Sequence, residues 1–286
     1  MAMTREWVLT ISCADRPGIV AAVTGRLAEI GANISESAQY WDRGPNRFYL
    51  RTAFLLDAGT EAAEIEAAFA PVVKRFAMAH RIADLGRRPR IVIMVSKFDH
   101  ALLHLLYQIR VGWLNAEVAA IVSNHADSRA TAEAAGIPYH LLPVTPDTKA
   151  AQEARLEALI AETGAELVVL ARYMQVLSDT LAQRLSGRVI NIHHSFLPSF
   201  KGARPYHQAY DRGVKLIGAT AHYVTGDLDE GPIIEQETER VSHALTAEDF
   251  VATGRDIEAR VLARAVKLHL EARVFLSGAR TVVFSR

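Results

Sequence analysis

The chain is nearly free of cysteine: Cys13 is the only one in 286 residues, so no internal disulfide can form, and this usage fits a reducing compartment. It also lacks an excess of either charge. With 32 Lys and Arg against 32 Asp and Glu, there is no electrostatic reason to expect nucleic acid or an acidic membrane surface as a partner. No uninterrupted apolar run approaches the roughly 20 residues of a membrane span. The start, Met1-Ala2-Met3-Thr4-Arg5-Glu6, has none of the apolar centre of a signal peptide. A cytoplasmic protein is expected. Two metal signatures, H-E-x-x-H and C-x-x-C, are missing, so nothing in the spacing of His193, His194, His207, His222 and Asp229 supports a zinc site, and no metal is expected. The G-x-S-x-G elbow of a Ser-His-Asp hydrolase is missing too. Internal repeats and low-complexity tracts are also lacking.

What is present divides into two patterns, at a length comfortable for two domains. Residues 1–85 read as strand, helix, strand, strand, helix, strand. Trp7–Cys13 is a β-rich run, and Asp15-Arg16-Pro17-Gly18 opens a helix, with Asp15 available as its N-cap. Ile19, Val20, Val23, Leu27 and Ile30 keep helical spacing up to Gly31, the expected left-handed stop. Ile34–Trp41 and Phe48–Leu56 flank a hairpin connection, and Ile65, Phe69, Val72 and Phe76 form a second helical stripe before Met78–Leu85. This order is the ferredoxin-like βαββαβ pattern.

The joint Asp84-Leu85-Gly86-Arg87-Arg88-Pro89-Arg90 is polar and punctuated by Gly and Pro, which makes residues 86–90 a linker and 91–286 a second domain. There the apolar runs Ile91–Val95, Val118–Val122, Leu167–Leu170 and Val189–Ile192 do not alternate. Such strands are buried on both faces, as in a Rossmann-like, mostly parallel sheet. Helices are expected at His100–Arg110, Ser128–Ala135 and Ala150–Glu162, with a long one from about Thr246 to Val274 before a last strand, Thr281–Phe284. Open α/β sheets bind ligands at the carboxyl ends of their strands.

Asn191 and His193 stand at such an end. Two apart in a strand, they point the same way. Asp229 lies in a Gly/Pro-bounded loop, Val224-Thr225-Gly226-Asp227-Leu228-Asp229-Glu230-Gly231-Pro232, that could fold back over them. An amide, an imidazole and a carboxylate suit attack on a carbonyl centre, which needs oxyanion donors, a proton carrier and a group that fixes protonation states. Asp227 competes with Asp229 for the last role. His194 is expected to point to the opposite side of the strand, and Ser195 to start the next loop.

The runs Asn191-x-His193, Ser195-Phe196-Leu197-Pro198-Ser199-Phe200-Lys201-Gly202 and Leu228-Asp229-Glu230-Gly231-Pro232 resemble the formyltransferase fold family, which moves or removes the formyl group of 10-formyltetrahydrofolate. Within it, Ser96-Lys97-Phe98-Asp99-His100 and Lys201-Gly202-Ala203-Arg204-Pro205-Tyr206-His207-Gln208-Ala209-Tyr210 resemble the formyltetrahydrofolate deformylases, and the resemblance extends over essentially the whole chain. It implies Asn191, His193 and Asp229 as catalytic residues. It also implies a flat pterin pocket lined by Met174, Val176 and Leu177, with backbone from Val224, Thr225 and Asp227; Arg172 or Arg204 is a candidate for the glutamate tail. Relatives that formylate glycinamide ribonucleotide carry a Gly/Ser-rich turn where this chain has Ser96–His100, without a glycine. That absence favours water over a phosphorylated acceptor, and formyl transfer to an amine is the alternative. The expected activity is release of formate from the folate, which balances one-carbon pools for purine synthesis, with no cofactor.

The first domain resembles an ACT module on Asp15-Arg16-Pro17-Gly18 and Gly31-Ala32-Asn33-Ile34. In that family Gly18 and Asn33 would line an effector site for an amino acid such as glycine or methionine; a purely dimerising domain is the alternative. A homo-oligomer, dimer or tetramer, is implied. A third reading, an amino-acid sensor with a degenerate enzyme domain, is opposed by the intact Asn191, His193 and Asp229.

Overall fold

The computed structural model describes residues 4–197 and 205–285. Pro198 and the Ser199–Arg204 stretch of the two motifs lie outside the described residues. The chain forms two compact units, Met1–Arg88 with Glu271–Phe275 and Phe284–Arg286, and Pro89–Leu270 with Leu276–Val283.

The first unit runs β1 (Thr4–Ala14), α1 (Ile19–Glu29), β2 (Asn33–Asp42), β3 (Arg47–Asp57), α2 (Ala62–Phe76) and β4 (Ala79–Asp84). Its antiparallel sheet has the order β2-β3-β1-β4, the ferredoxin-like arrangement. The predicted stripes supply the core: Val23 and Leu27 of α1 and Ile65 and Phe69 of α2 pack with Leu9, Ile11, Leu50 and Phe54 of the sheet. Asp15 is not the cap of α1. The helix starts at Ile19 behind Gly18, whose φ of 91° has no side chain to strain, and no side chain caps it. Gly31, at φ 75°, ends the helix as expected.

Strand β3 departs from simple alternation. Phe48, Leu50, Phe54 and Leu56 share the core face, yet Tyr49, Arg51 and Ala53 are buried as well. The chain's last residues account for this. Tyr49 packs edge-on against Phe275 at 5.4 Å. Arg51 Nη1 bonds Glu36 Oε2 at 3.0 Å, and Arg273 Nη2 meets the same oxygen at 2.7 Å. Arg51 Nε donates to the Glu271 carbonyl, and Arg273 Nε to the Glu271 carboxylate. Two buried guanidiniums are thus compensated by two carboxylates, which a buried charge requires.

The second unit continues with β5 (Arg90–Val95), α3 (His100–Arg110), β6 (Glu117–Ser123), α4 (Arg129–Ala134), β7 (Tyr139–Leu141), α5 (Lys149–Thr163), β8 (Leu167–Leu170), α6 (Asp179–Arg184) and β9 (Val189–His193). It closes with α7 (Pro205–Asp211), β10 (Leu216–Tyr223), β11 (Ile233–Arg240) and α8 (Ala247–Leu270). Its sheet has the order β11-β10-β9-β8-β5-β6-β7. β5 to β9 are parallel, as their unalternating apolar runs predict, while β10 and β11 add on antiparallel. The last helix stops at Leu270, short of the expected Val274. Ala272 turns the chain with a left-handed φ of 54°, and β12 (Val274–Ser277) and β13 (Arg280–Val283) form a hairpin in place of a single final strand.

Candidate active site

A cavity of about 250 Å³ opens at the carboxyl ends of β8 and β9. Asn191 and His193, on one face of β9, both line it, and so does Asp229. The register explains how they meet. β9 pairs antiparallel with β10, which sets Asn191 directly across from His222. The loop from Val224 to Pro232 then leaves and re-enters the sheet, closed by the Tyr223 amide donating to the Pro232 carbonyl at 2.9 Å. Gly231 makes the closure feasible, because a Cβ there would overlap the Tyr223 carbonyl. The loop returns Asp229 to β9, in a left-handed conformation (φ 58°) that aspartate tolerates better than most residues.

Asp229 Oδ2 lies 3.1 Å from His193 Nδ1, and Oδ1 lies 3.7 Å from His222 Nε2, too long for a hydrogen bond. Burial opposes ionisation of this carboxyl, but the hydrogen bond from His193 outweighs it, and the carboxyl is held well below the usual carboxylate range. The His222 Nδ1–H donates to the Tyr223 carbonyl at 2.9 Å, leaving Nε2 to accept from Asn191 Nδ2 at 3.3 Å. His193 is buried, and its Nε2 has no hydrogen-bond partner among the described residues. The competitor Asp227 lines the cavity too, but it is Asp229 that pairs with His193.

Met174, Val176, Leu177, Val224, Thr225 and Asp227 all line this cavity. Met174 and Val176 are about half exposed, at 54% and 52%, so packing within the protein leaves apolar surface of both uncovered; Leu177 is buried and also belongs to the core. Arg172 is turned elsewhere than towards a free tail: it pairs with Glu258 at 3.2 Å and with His194 at 2.5 Å. His194 does not point away from His193. The two rings stack with centroids 4.9 Å apart, because His194 follows the last paired residue and escapes the strand's alternation. Sequence reasoning weighed His222 only as a metal ligand and did not single out the buried Glu258; the place of His222 just before the motif loop was a signal, whereas Glu258 carried none. Gly18 and Asn33 belong to the first unit, Gly18 before α1 and Asn33 opening β2. Among the described residues, no three His, Cys, Asp or Glu side chains gather in a way that could hold a metal ion.

Residues 89–266 match the family model described as Formyl transferase. A formyltetrahydrofolate deformylase of Corynebacterium sp. (strain P-1) is 51% identical over 277 residues, covering 96% of this chain and 97% of the relative. The chain belongs to the formyltetrahydrofolate deformylases. The solved structure of one from Burkholderia mallei ATCC 23344 matches with a TM-score of 0.94 at 50% identity, covering 98% of this chain and 100% of that one. The likeness to glycinamide ribonucleotide transformylase 1 from Symbiobacterium toebii is narrower: it covers 71% of this chain and 97% of that one, with a TM-score of 0.66 at 31% identity. The second unit therefore has the formyltransferase fold.

Proposed function

We propose that the protein hydrolyses 10-formyltetrahydrofolate to tetrahydrofolate and formate. One observation carries the mechanism: His193 gives its Nδ1 to an ionised Asp229, while its buried Nε2, unpaired among the described residues, belongs to a cavity shared with Asn191. With its Nδ1–H donated to the Asp229 carboxylate, neutral His193 carries its lone pair on Nε2. Water loses a proton to Nε2 as its oxygen adds to the formyl carbon. Asn191 Nδ2 spends one hydrogen on His222, and its second donates to the oxyanion that forms. Collapse breaks the C–N10 bond, and the His193 imidazolium returns the proton to the leaving nitrogen. Asp229, with its depressed pKa, is a poor proton acceptor near neutrality; it orients His193 and offsets the imidazolium charge.

Met174, Val176 and Leu177, with the backbone from Val224 to Asp227, form the apolar and hydrogen-bonding walls for the pterin. Hydrolysis is preferred to transfer because the turn after β5 is committed to the protein itself. The Ser96 amide donates to the Arg172 carbonyl, and its hydroxyl donates to Asn124 and accepts from the Met174 amide at 2.9 Å. Incubated with 10-formyltetrahydrofolate alone, the protein is expected to release formate and tetrahydrofolate in equal amounts. Tetrahydrofolate that appears only when an amine is added, with the formyl group carried on that amine and no free formate, would establish the transferase instead.

The first unit serves as an ACT-like regulatory or dimerising domain in a cytoplasmic homo-oligomer, dimer or tetramer, and the formate feeds one-carbon pools for purine synthesis. Support comes from the βαββαβ order and from Gly18 and Asn33 at the starts of α1 and β2. Titration calorimetry with glycine and methionine is expected to give saturable heat that Gly18→Val abolishes; no heat from either amino acid would leave the unit an assembly module, with light scattering giving the subunit number.

A further inference from the structure

Two segments that resemble the deformylases, Ser96–His100 and Lys201–Tyr210, supply no reacting group to the hydrolysis proposed above. One described side chain from each nevertheless converges on the same carboxylate. His100, at the start of α3, and Tyr206, on α7, both bond Glu258 of α8. His100 Nε2 lies 2.8 Å from Glu258 Oε2, and the Tyr206 hydroxyl donates to Oε1 at 2.7 Å. The side chain of Glu258 is only 1% exposed. Gly254, one turn earlier on α8, admits the Tyr206 ring, which any Cβ there would overlap.

A carboxylate buried this deeply needs a cation. Arg172 supplies it, with Nε 3.2 Å from Oε2, though off the N–H line of a proper hydrogen bond. Burial would raise the Glu258 carboxyl, but the His100 hydrogen bond and the Arg172 charge bring it below its ordinary value. Arg172 sits at φ 64°, a left-handed conformation costly for a residue with a side chain, and such strain gathers where function fixes the geometry. The other end of its guanidinium reaches the site: Nη1 lies 2.5 Å from His194 Nδ1. A guanidinium only donates, so His194 must present a bare Nδ1 and, as a neutral ring, carry its proton on Nε2. That ring lies at 20° to His193, centroids 4.9 Å apart.

We propose that Glu258 and Arg172 are positioning residues: their ion pair locks His194 as a flat, uncharged support against His193, and so fixes the ring that relays the proton. The role deepens the hydrolase reading and rests on it. Two stacked imidazoles can share only one positive charge cheaply. The Arg172–His194 bond keeps that charge off His194 and leaves it for His193, beside Asp229.

The test reads the rings directly, by imidazole ¹⁵N NMR, so it does not depend on turnover. Among the described residues, the titratable and charged groups around the stacked pair include Asp229, Asp227 and His222 from the β10–β11 side, Arg172 after β8, and behind it Glu258, His100 and Tyr206. Glu258→Gln leaves the guanidinium uncompensated, so the titration midpoints of His193 and His194 are expected to move to lower pH. The kcat should fall about 10–100-fold with KM changed by less than about threefold. Arg172→Lys keeps the charge but cannot span both partners, so His194 should lose its fixed Nε2–H tautomer, with a similar fall in kcat. Tyr206→Phe removes one hydrogen bond and no charge, and should leave both midpoints in place. Unmoved midpoints in folded Glu258→Gln, or an equal shift in Tyr206→Phe, would overturn the proposal. If Glu258→Gln does not fold, Arg172→Lys decides: an unchanged His194 tautomer with wild-type kcat overturns it. Altered rings in a protein that releases no formate would instead refute the hydrolase reading.

Discussion

Asp229→Asn is expected to lower kcat by about 10²–10⁴-fold while leaving the KM for the formyl-folate within about threefold of wild type. The asparagine keeps the shape of the side chain and tolerates the left-handed φ of 58° at this position, so the loop should close as before. What changes is the partner of His193 Nδ1, now 3.1 Å from a carboxylate oxygen. An amide carries no charge to offset an imidazolium, and if its nitrogen faces the ring it forces the wrong tautomer. Steady-state kinetics of formate release, together with folate binding by fluorescence quenching, separate the two parameters. Wild-type kcat in this variant would remove Asp229 from the mechanism. No limb of the wild-type pH–rate profile near neutrality should belong to Asp229, because its folded pKa is depressed: the charge is present above the ordinary carboxylate range and is lost only in strong acid.

His193→Ala should be at least as damaging, about 10³-fold or more in kcat, because one ring is asked to accept the water proton and to deliver it to N10. The substitution also strips Asp229 of its closest partner, so thermal melting must first establish that the variant folds. In the double variant with Asp229→Asn, the losses should not multiply: once the ring is gone, the carboxylate has nothing to orient. Added imidazole, small enough for a cavity of about 250 Å³, is expected to restore part of the turnover. A double variant slower by the full product of the single losses would mean that Asp229 acts on the substrate independently of His193.

Much of the architecture was legible because its signals are local. The unalternating runs of β5, β8 and β9 required burial on both faces, and a parallel sheet was the result. The stripes on α1 and α2 named most of the helical core of the first unit, although Val20 of the α1 stripe is exposed and Ile30 only partly buried. The misses are local failures with tertiary causes. Asp15 has the chemistry of a cap, yet a glycine with positive φ starts α1. Ala272 breaks the last helix with no Gly or Pro to announce it, and the Glu36, Arg51, Glu271 and Arg273 charges bind the segment that follows to the first unit's sheet. β10 and β11 went unread, although β10 carries His222.

The site divides along the same line. Asn191 and His193 could be paired from sequence, since strand periodicity acts over two residues, and a Gly/Pro-bounded loop marked Asp229. By itself the sequence determined the two fold patterns, a βαββαβ order followed by a mostly parallel sheet, and the residue types available at one strand end. Only the tertiary structure decided that His222 stands across from Asn191, that His194 lies against His193, and that His100, Arg172, Tyr206 and Glu258 form one buried cluster. Propensity and periodicity act between neighbours in the chain, whereas a contact between residues 100 and 258 depends on strand order, register and helix packing. Those are settled by burying the whole core at once, and no short stretch of sequence encodes them.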